Sequence, residues 1–114
     1  MPDSNLSLNL VEGSVSFKFT LEAAKLLRTD LAKLLERLKA ASVRQGSARP
    51  APQPAMEYRH AGDVFLEIFC NPNIWPTPFA AKVLITLRDE RIRLTTEAEL
   101  TQLVNDLNEF LSHM

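Results

Sequence analysis

The chain predicts an α+β fold: an antiparallel sheet of three to five strands, with a long N-terminal helix and a C-terminal helix packed on one face, in the order β-α-β-β-β-α. Three observations carry this. Apolar and polar side chains alternate through residues 64–70, 81–88 and 91–94, the period of a pleated strand. Residues 20–42 repeat leucine and alanine at every third or fourth position, the period of a helix. Residues 96–111 do the same after a T-E-A-E capping signal.

Residues 1–5 have nothing to hold them and are expected to fray. Leu6, Leu8 and Leu10, then Val15, Phe17 and Phe19, alternate with polar residues around Glu12-Gly13. The pattern fits a short hairpin or a single strand at residues 14–19, with more support for the single strand, and either could extend the main sheet. Thr20 then caps a helix that runs to residue 41 or 42, rich in Ala, Leu, Lys, Glu and Arg. Ala24, Leu27, Leu31, Leu34, Leu38 and Ala41 form its stripe, widened by Leu26 and Leu35. Such a helix is about 33 Å long, against about 20 Å for a six-residue strand, so one end should overhang the sheet. The excess stripe must meet the second helix, a loop or a second copy, which makes a homodimer through this helix one expected outcome.

Residues 43–58 carry Pro50, Pro52 and Pro54 with Gly46 and several small residues, and are expected to form a flexible loop within a single domain spanning 1–114. In the sheet that follows, Val64, Leu66, Ile68, Cys70, Ala81, Val83, Ile85 and Leu87 share one aliphatic face. Asp89-Glu90 marks a reversal that sets Leu87 opposite Ile92 and Ile85 opposite Leu94. The reverse face carries Phe65, Glu67, Phe69, Lys82, Leu84, Thr86, Arg88, Arg91 and Arg93. Between the first two strands, N-P-N-I-W-P-T-P-F holds Ile74, Trp75 and Phe79 on stiff backbone, either to cap the core or to offer an aromatic anchor to a partner. Thr96 as N-cap with Glu99 reaching back opens the last helix, whose stripe is Leu100, Leu103, Val104, Leu107, Phe110 and Leu111.

A hydrophobic content of 46% over 114 residues suits one globular domain and excludes a disordered chain. The net charge of −1 gives no general pull toward nucleic acid or membrane, although residues 1–60 hold nine Lys/Arg against six Asp/Glu and the remainder four against eight. A lone cysteine forms no internal disulfide and suits a reducing compartment. Residues 1–20 lack a basic start followed by an apolar run, and no stretch nears the ~20 apolar residues of a membrane span. A cytoplasmic protein without membrane insertion is expected.

No catalytic, cofactor or metal set stands out. His60, Asp63 and Cys70 could be assembled as base, orienter and thiol, but alternation puts Cys70 on the aliphatic face as a small buried hydrophobe. Two separated histidines and one cysteine give no metal-ligand spacing, and no phosphate-cradling glycine motif occurs. Helix, three strands and helix is also the element order of double-stranded-RNA-binding domains, yet T-T-E-A-E-L stands where a basic helix start would be needed.

The run from His60 to Leu100, H-A-G-D-V-F-L-E-I-F-C-N-P-N-I-W-P-T-P-F-A-A-K-V-L-I-T-L-R-D-E-R-I-R-L-T-T-E-A-E-L, resembles a family of small proteins of cyanobacteria and plastids. The resemblance brings no established activity or functional residue. It implies a cytosolic or thylakoid-adjacent setting and an accessory role in assembling photosynthetic complexes. The function expected from all of this is a non-enzymatic protein–protein interaction module, an adaptor or assembly factor. Its partner surface is expected at Ile74, Trp75 and Phe79 in the loop and at Phe65, Phe69, Arg88, Arg91 and Arg93 on the reverse face. RNA binding by stacking on the phenylalanines and pairing with the arginines is the alternative.

Overall fold

The computed structural model describes residues 4–42 and 52–113. Two helices and two antiparallel sheets build the α+β fold. A hairpin of β1 (Ser4–Leu10) and β2 (Gly13–Phe19) leads into α1 (Leu21–Ser42); a meander β3 (Met56–Ala61), β4 (Phe65–Cys70), β5 (Lys82–Arg88), β6 (Arg93–Glu99) follows, and α2 (Leu100–Ser112) ends the chain. Residues 43–51 of the expected loop lie outside the described residues.

The hairpin is real, and its first strand starts at Ser4 rather than fraying through Asn5. Leu6 pairs with Phe17 and Leu8 with Val15, and Gly13 closes the turn with a φ of 155° that only glycine takes without strain. The hairpin does not extend the main sheet. Val11 donates one backbone bond to Glu97 O at 3.1 Å, but the Asn9 amide is taken by the Asp106 carboxylate of α2 at 2.7 Å. A side chain thus occupies the strand edge where β6 would have to pair.

α1 begins as expected, Thr20 Oγ1 accepting from Ala23 N at 3.1 Å. Its stripe of Ala24, Leu27, Leu31, Leu34 and Leu38 is buried within the chain, under β3, α2 and the 3-10 turns of the 71–80 loop. Those five residues are spent on the chain's own core, while Leu26 at the edge of the stripe is 66% exposed. Arg37 reaches the carbonyls of Pro54 and Ala55, and the Tyr58 hydroxyl donates to Ala23 O at 3.3 Å. These bonds seat α1 against β3, which begins inside the expected 43–58 loop. Met56 and Tyr58 are core residues, so the loop ends at residue 55 rather than 58.

β6 corrects two expectations. Asp89 Oδ1 accepts from the amides of Arg91 and Ile92 at 2.8 and 2.9 Å, which builds a longer turn and starts β6 at Arg93. Leu87 therefore faces Leu94 and Ile85 faces Thr96, two positions beyond the expected partners, while Ile92 stays in the turn, exposed. A shift of two keeps Arg93 and Leu94 on their predicted faces. The T-E-A-E segment is strand, because β5 needs partners down to the Lys82–Glu99 pair, and α2 starts only at Leu100. Glu99 makes no side-chain cap bond; Leu100 N instead donates to Ala81 O at 3.0 Å.

Sheet, helices and hairpin share one core, with Leu66, Ile68, Val83 and Ile85 from the sheet and Phe19 packed edge-on against Phe17, Phe110 and His60. Asp106 fastens the hairpin to this assembly: Oδ1 also accepts from Asn9 Nδ2 and Gln102 Nε2, each at 2.9 Å, on a residue only 6% exposed. Asp106→Ala is expected to strand these donors and cost about 1–3 kcal/mol, read as a fall in urea midpoint, with hydrogen exchange accelerated first in β1.

Candidate functional site

The 71–80 loop is stiffened from its own sequence. Asn71 Oδ1 caps the first 3-10 turn by accepting from Asn73 N at 3.0 Å, and Thr77 Oγ1 caps the second through Ala80 N at 3.2 Å. Asn73 clasps Gln53 in a paired amide contact, Gln53 N to Asn73 Oδ1 and Asn73 Nδ2 to Gln53 O, both at 2.8 Å. On this frame Trp75 turns inward against the core, while Ile74 and Phe79 are 65% and 83% exposed. Trp75 is thus a cap rather than a displayed anchor. Its indole N–H is buried with no oxygen or nitrogen partner among the described residues and lies beside the Cys70 thiol. Burial pushes that thiol up to about 11, and the indole N–H offsets only part of the rise.

The reverse face of the sheet stands open. The ladders set its side chains in rows across β3, β4, β5 and β6. One row reads Ala61, Phe65, Arg88, Arg93; the next Arg59, Glu67, Thr86, Thr95; the third Glu57, Phe69, Leu84, Glu97. Lys82 and Glu99 begin a fourth. Arg59 bridges Glu67 at 2.8 Å and Glu57 at 3.5 Å. The Arg88 guanidinium lies over the Phe65 ring, 4.3 Å from its centroid. Phe69 and Leu84, cross-strand neighbours, are 39% and 43% exposed.

The expected site residues therefore do not form one patch. Phe65, Phe69, Arg88 and Arg93 share the open face; Arg91 sits in the turn beyond it; Ile74 and Phe79 stand on the loop at the opposite end of β4 and β5; Trp75 packs, partly buried, against the core. A hollow of about 540 Å³ at the arginine end is lined by Phe65, Arg88 and Arg91, but also by Asp63, Asp89 and Glu90. The amides of Arg91 and Ile92 hold the Asp89 carboxyl below its usual range, so it is charged wherever a phosphate would be. His60 and Cys70 pair with opposite ends of β4 and β3 and do not converge. Among the described residues no group of His, Cys, Asp or Glu is placed to hold a metal, and no helix is long and apolar enough to cross a membrane.

Comparison with known proteins adds no assignment. No family model, curated protein or solved structure matches the chain.

Sequence reading missed Glu57 and Arg59 as members of the face because three prolines had argued against a strand there. The alternation of Met56 and Tyr58 with Glu57 and Arg59 was the available signal. It also left Leu84 and Glu97 out of the candidate surface, Glu97 because it was placed in a helix.

Two outcomes test the inner environment. Trp75→Ala should cost about 2–4 kcal/mol, whereas Trp75→Phe should cost far less, because it removes a buried N–H that has no oxygen or nitrogen partner among the described residues. Because folding raises the Cys70 thiol from 9.0 to about 11, the unfolded chain releases its proton first. Stability should fall as pH rises from about 9 to about 11, by about 1 kcal/mol at pH 10, and urea midpoints in Cys70→Ala should lose that part of the slope.

Proposed function

We propose that the chain is a non-enzymatic protein–protein interaction module, a small adaptor or assembly factor, that receives its partner on the open face of the sheet. One observation carries this: Phe69 and Leu84 stay exposed side by side on the two central strands, on the face of the sheet turned away from the core. Around them the face has an interface's make-up, an apolar centre with a rim of both charge signs. The setting implied by the resemblance of residues 60–100, assembly of photosynthetic complexes, belongs to the same proposal.

The stacked Phe65–Arg88 pair is the feature that speaks for RNA. Charge argues against it. Arg59, Lys82, Arg88 and Arg93 on the rows are matched by Glu57, Glu67, Glu97 and Glu99, and single-strand binding needs a cationic groove.

The test is retention of partners from native extract by the immobilised protein, with and without nuclease. Phe69→Asp/Leu84→Asp should lose the partner by at least about tenfold with its urea midpoint little changed. Retention that survives the double variant, or vanishes with nuclease, overturns the reading.

A further inference from the structure

We infer that the open face docks on a second copy of this chain, sheet on sheet, about a two-fold axis lying across the strands along the Glu67–Thr86–Thr95 row. This rests on the reading of that face as a protein-binding surface and names the partner. The α1 stripe is used up inside the chain, and nothing indicates what would fill the apolar groove between Val15 and Ile92. The open face differs, because its own chemistry specifies an occupant.

The two rows flanking the axis are complementary to each other. An axis along the central row exchanges Phe65, Arg88 and Arg93 with Phe69, Leu84 and Glu97, strand by strand. Phe65 then meets the partner's Phe69, the Arg88 stem lies over the partner's Leu84, and Arg93 meets the partner's Glu97. Two-fold symmetry makes each contact twice. An axis along the strands would instead set Glu57 against the partner's Glu97; on the chosen axis the charged residues that meet their own copies, Arg59 and Glu67, are already bridged to each other.

The pairing also relieves a defect of the single copy. Arg88 and Arg93 face each other directly across the β5–β6 ladder, an arrangement that repels. Arg88 finds the Phe65 ring, but Arg93 has no ion pair among the described residues. The partner's Glu97 supplies it. Four strands ~4.8 Å apart and six or seven residues long at ~3.4 Å give a footprint of about 400 Å². Counted on both copies that is about 800 Å², short of the roughly 1,200 Å² at which stable interfaces begin, so the dimer is weak and concentration-dependent.

Sedimentation of the full chain across rising concentration tests this. Arg93→Glu and Glu97→Arg, each alone, set like charges at both symmetric contacts and should weaken the dimer by about tenfold or more. Mixing the two single variants should produce a heterodimer, and Arg93→Glu/Glu97→Arg together should restore the homodimer. A chain that stays monomeric to millimolar concentration, or a dimer indifferent to these exchanges, overturns the inference. If the monomeric chain still loses an extract partner through Phe69→Asp/Leu84→Asp, the protein-binding face stands and only the second copy falls.

Discussion

The constraint on which the rest depends is that one face of the four-stranded sheet is continuously apolar and must be hidden from water. Leu66, Ile68, Val83 and Ile85 are fully buried, and each such side chain contributes about 1.5–3 kcal/mol by leaving water. One helix cannot cover four strands. α1 lies on the β3 side, held by Tyr58 and Arg37, while α2 and the hairpin cover the β6 side. The molecule is therefore two-sided by construction, and the second side is free to carry other chemistry.

What positions these covers is polar rather than apolar. Burial favours many placements of a helix over a greasy face; hydrogen bonds favour one. Asp106 fixes the hairpin to α2 by accepting from three donors, and the Asn73–Gln53 clasp ties the proline loop to the segment entering β3. The same loop turns Trp75 against the core and leaves Phe79 outside. Three prolines and two capped 3-10 turns fix which aromatic goes which way.

Side-chain period made the central elements legible from residues alone. The faces of β4 and β5, both helical stripes and the Thr20 cap follow from spacing, and a two-position change of register at β6 left Arg93 and Leu94 on their predicted faces. Failures came where a local signal competed with a non-local one. T-E-A-E is a good helix start in isolation, but the ladder with β5 claims it as strand. Pro50, Pro52 and Pro54 masked β3, whose first residue follows only two positions after Pro54. The separation of hairpin from sheet hinges on Asp106, almost a hundred residues from Asn9, and no local pattern announces it. For the site, alternation placed Phe65, Phe69, Arg88 and Arg93 correctly on one face. Their row partners could not be read, because rows depend on register.

Rows matter because they turn a composition into a pattern. Counted as residues, the open face is a balanced mixture of acids and bases with a few apolar side chains, and nothing distinguishes it from a solvated surface. Ordered by register, its bases gather toward the row of Arg88 and Arg93 and its acids toward the row of Glu57 and Glu97, with Phe69 and Leu84 between the two glutamates. A solvated face has no reason to set two arginines directly opposite or to leave a phenylalanine beside a leucine in water; a cross-strand acid–base pair would be more stable at the first place and a threonine pair would serve at the second. Arg59 meets Glu67 and Glu57, and Lys82 stands opposite Glu99, which leaves Arg93 and Glu97 as the charges of the flanking rows with no ion pair among the described residues. The face is thus satisfied along its β3 and β4 side and unsatisfied, in opposite senses, at Arg93 and Glu97 on β6. That is the pattern expected where the missing partners arrive from outside the chain.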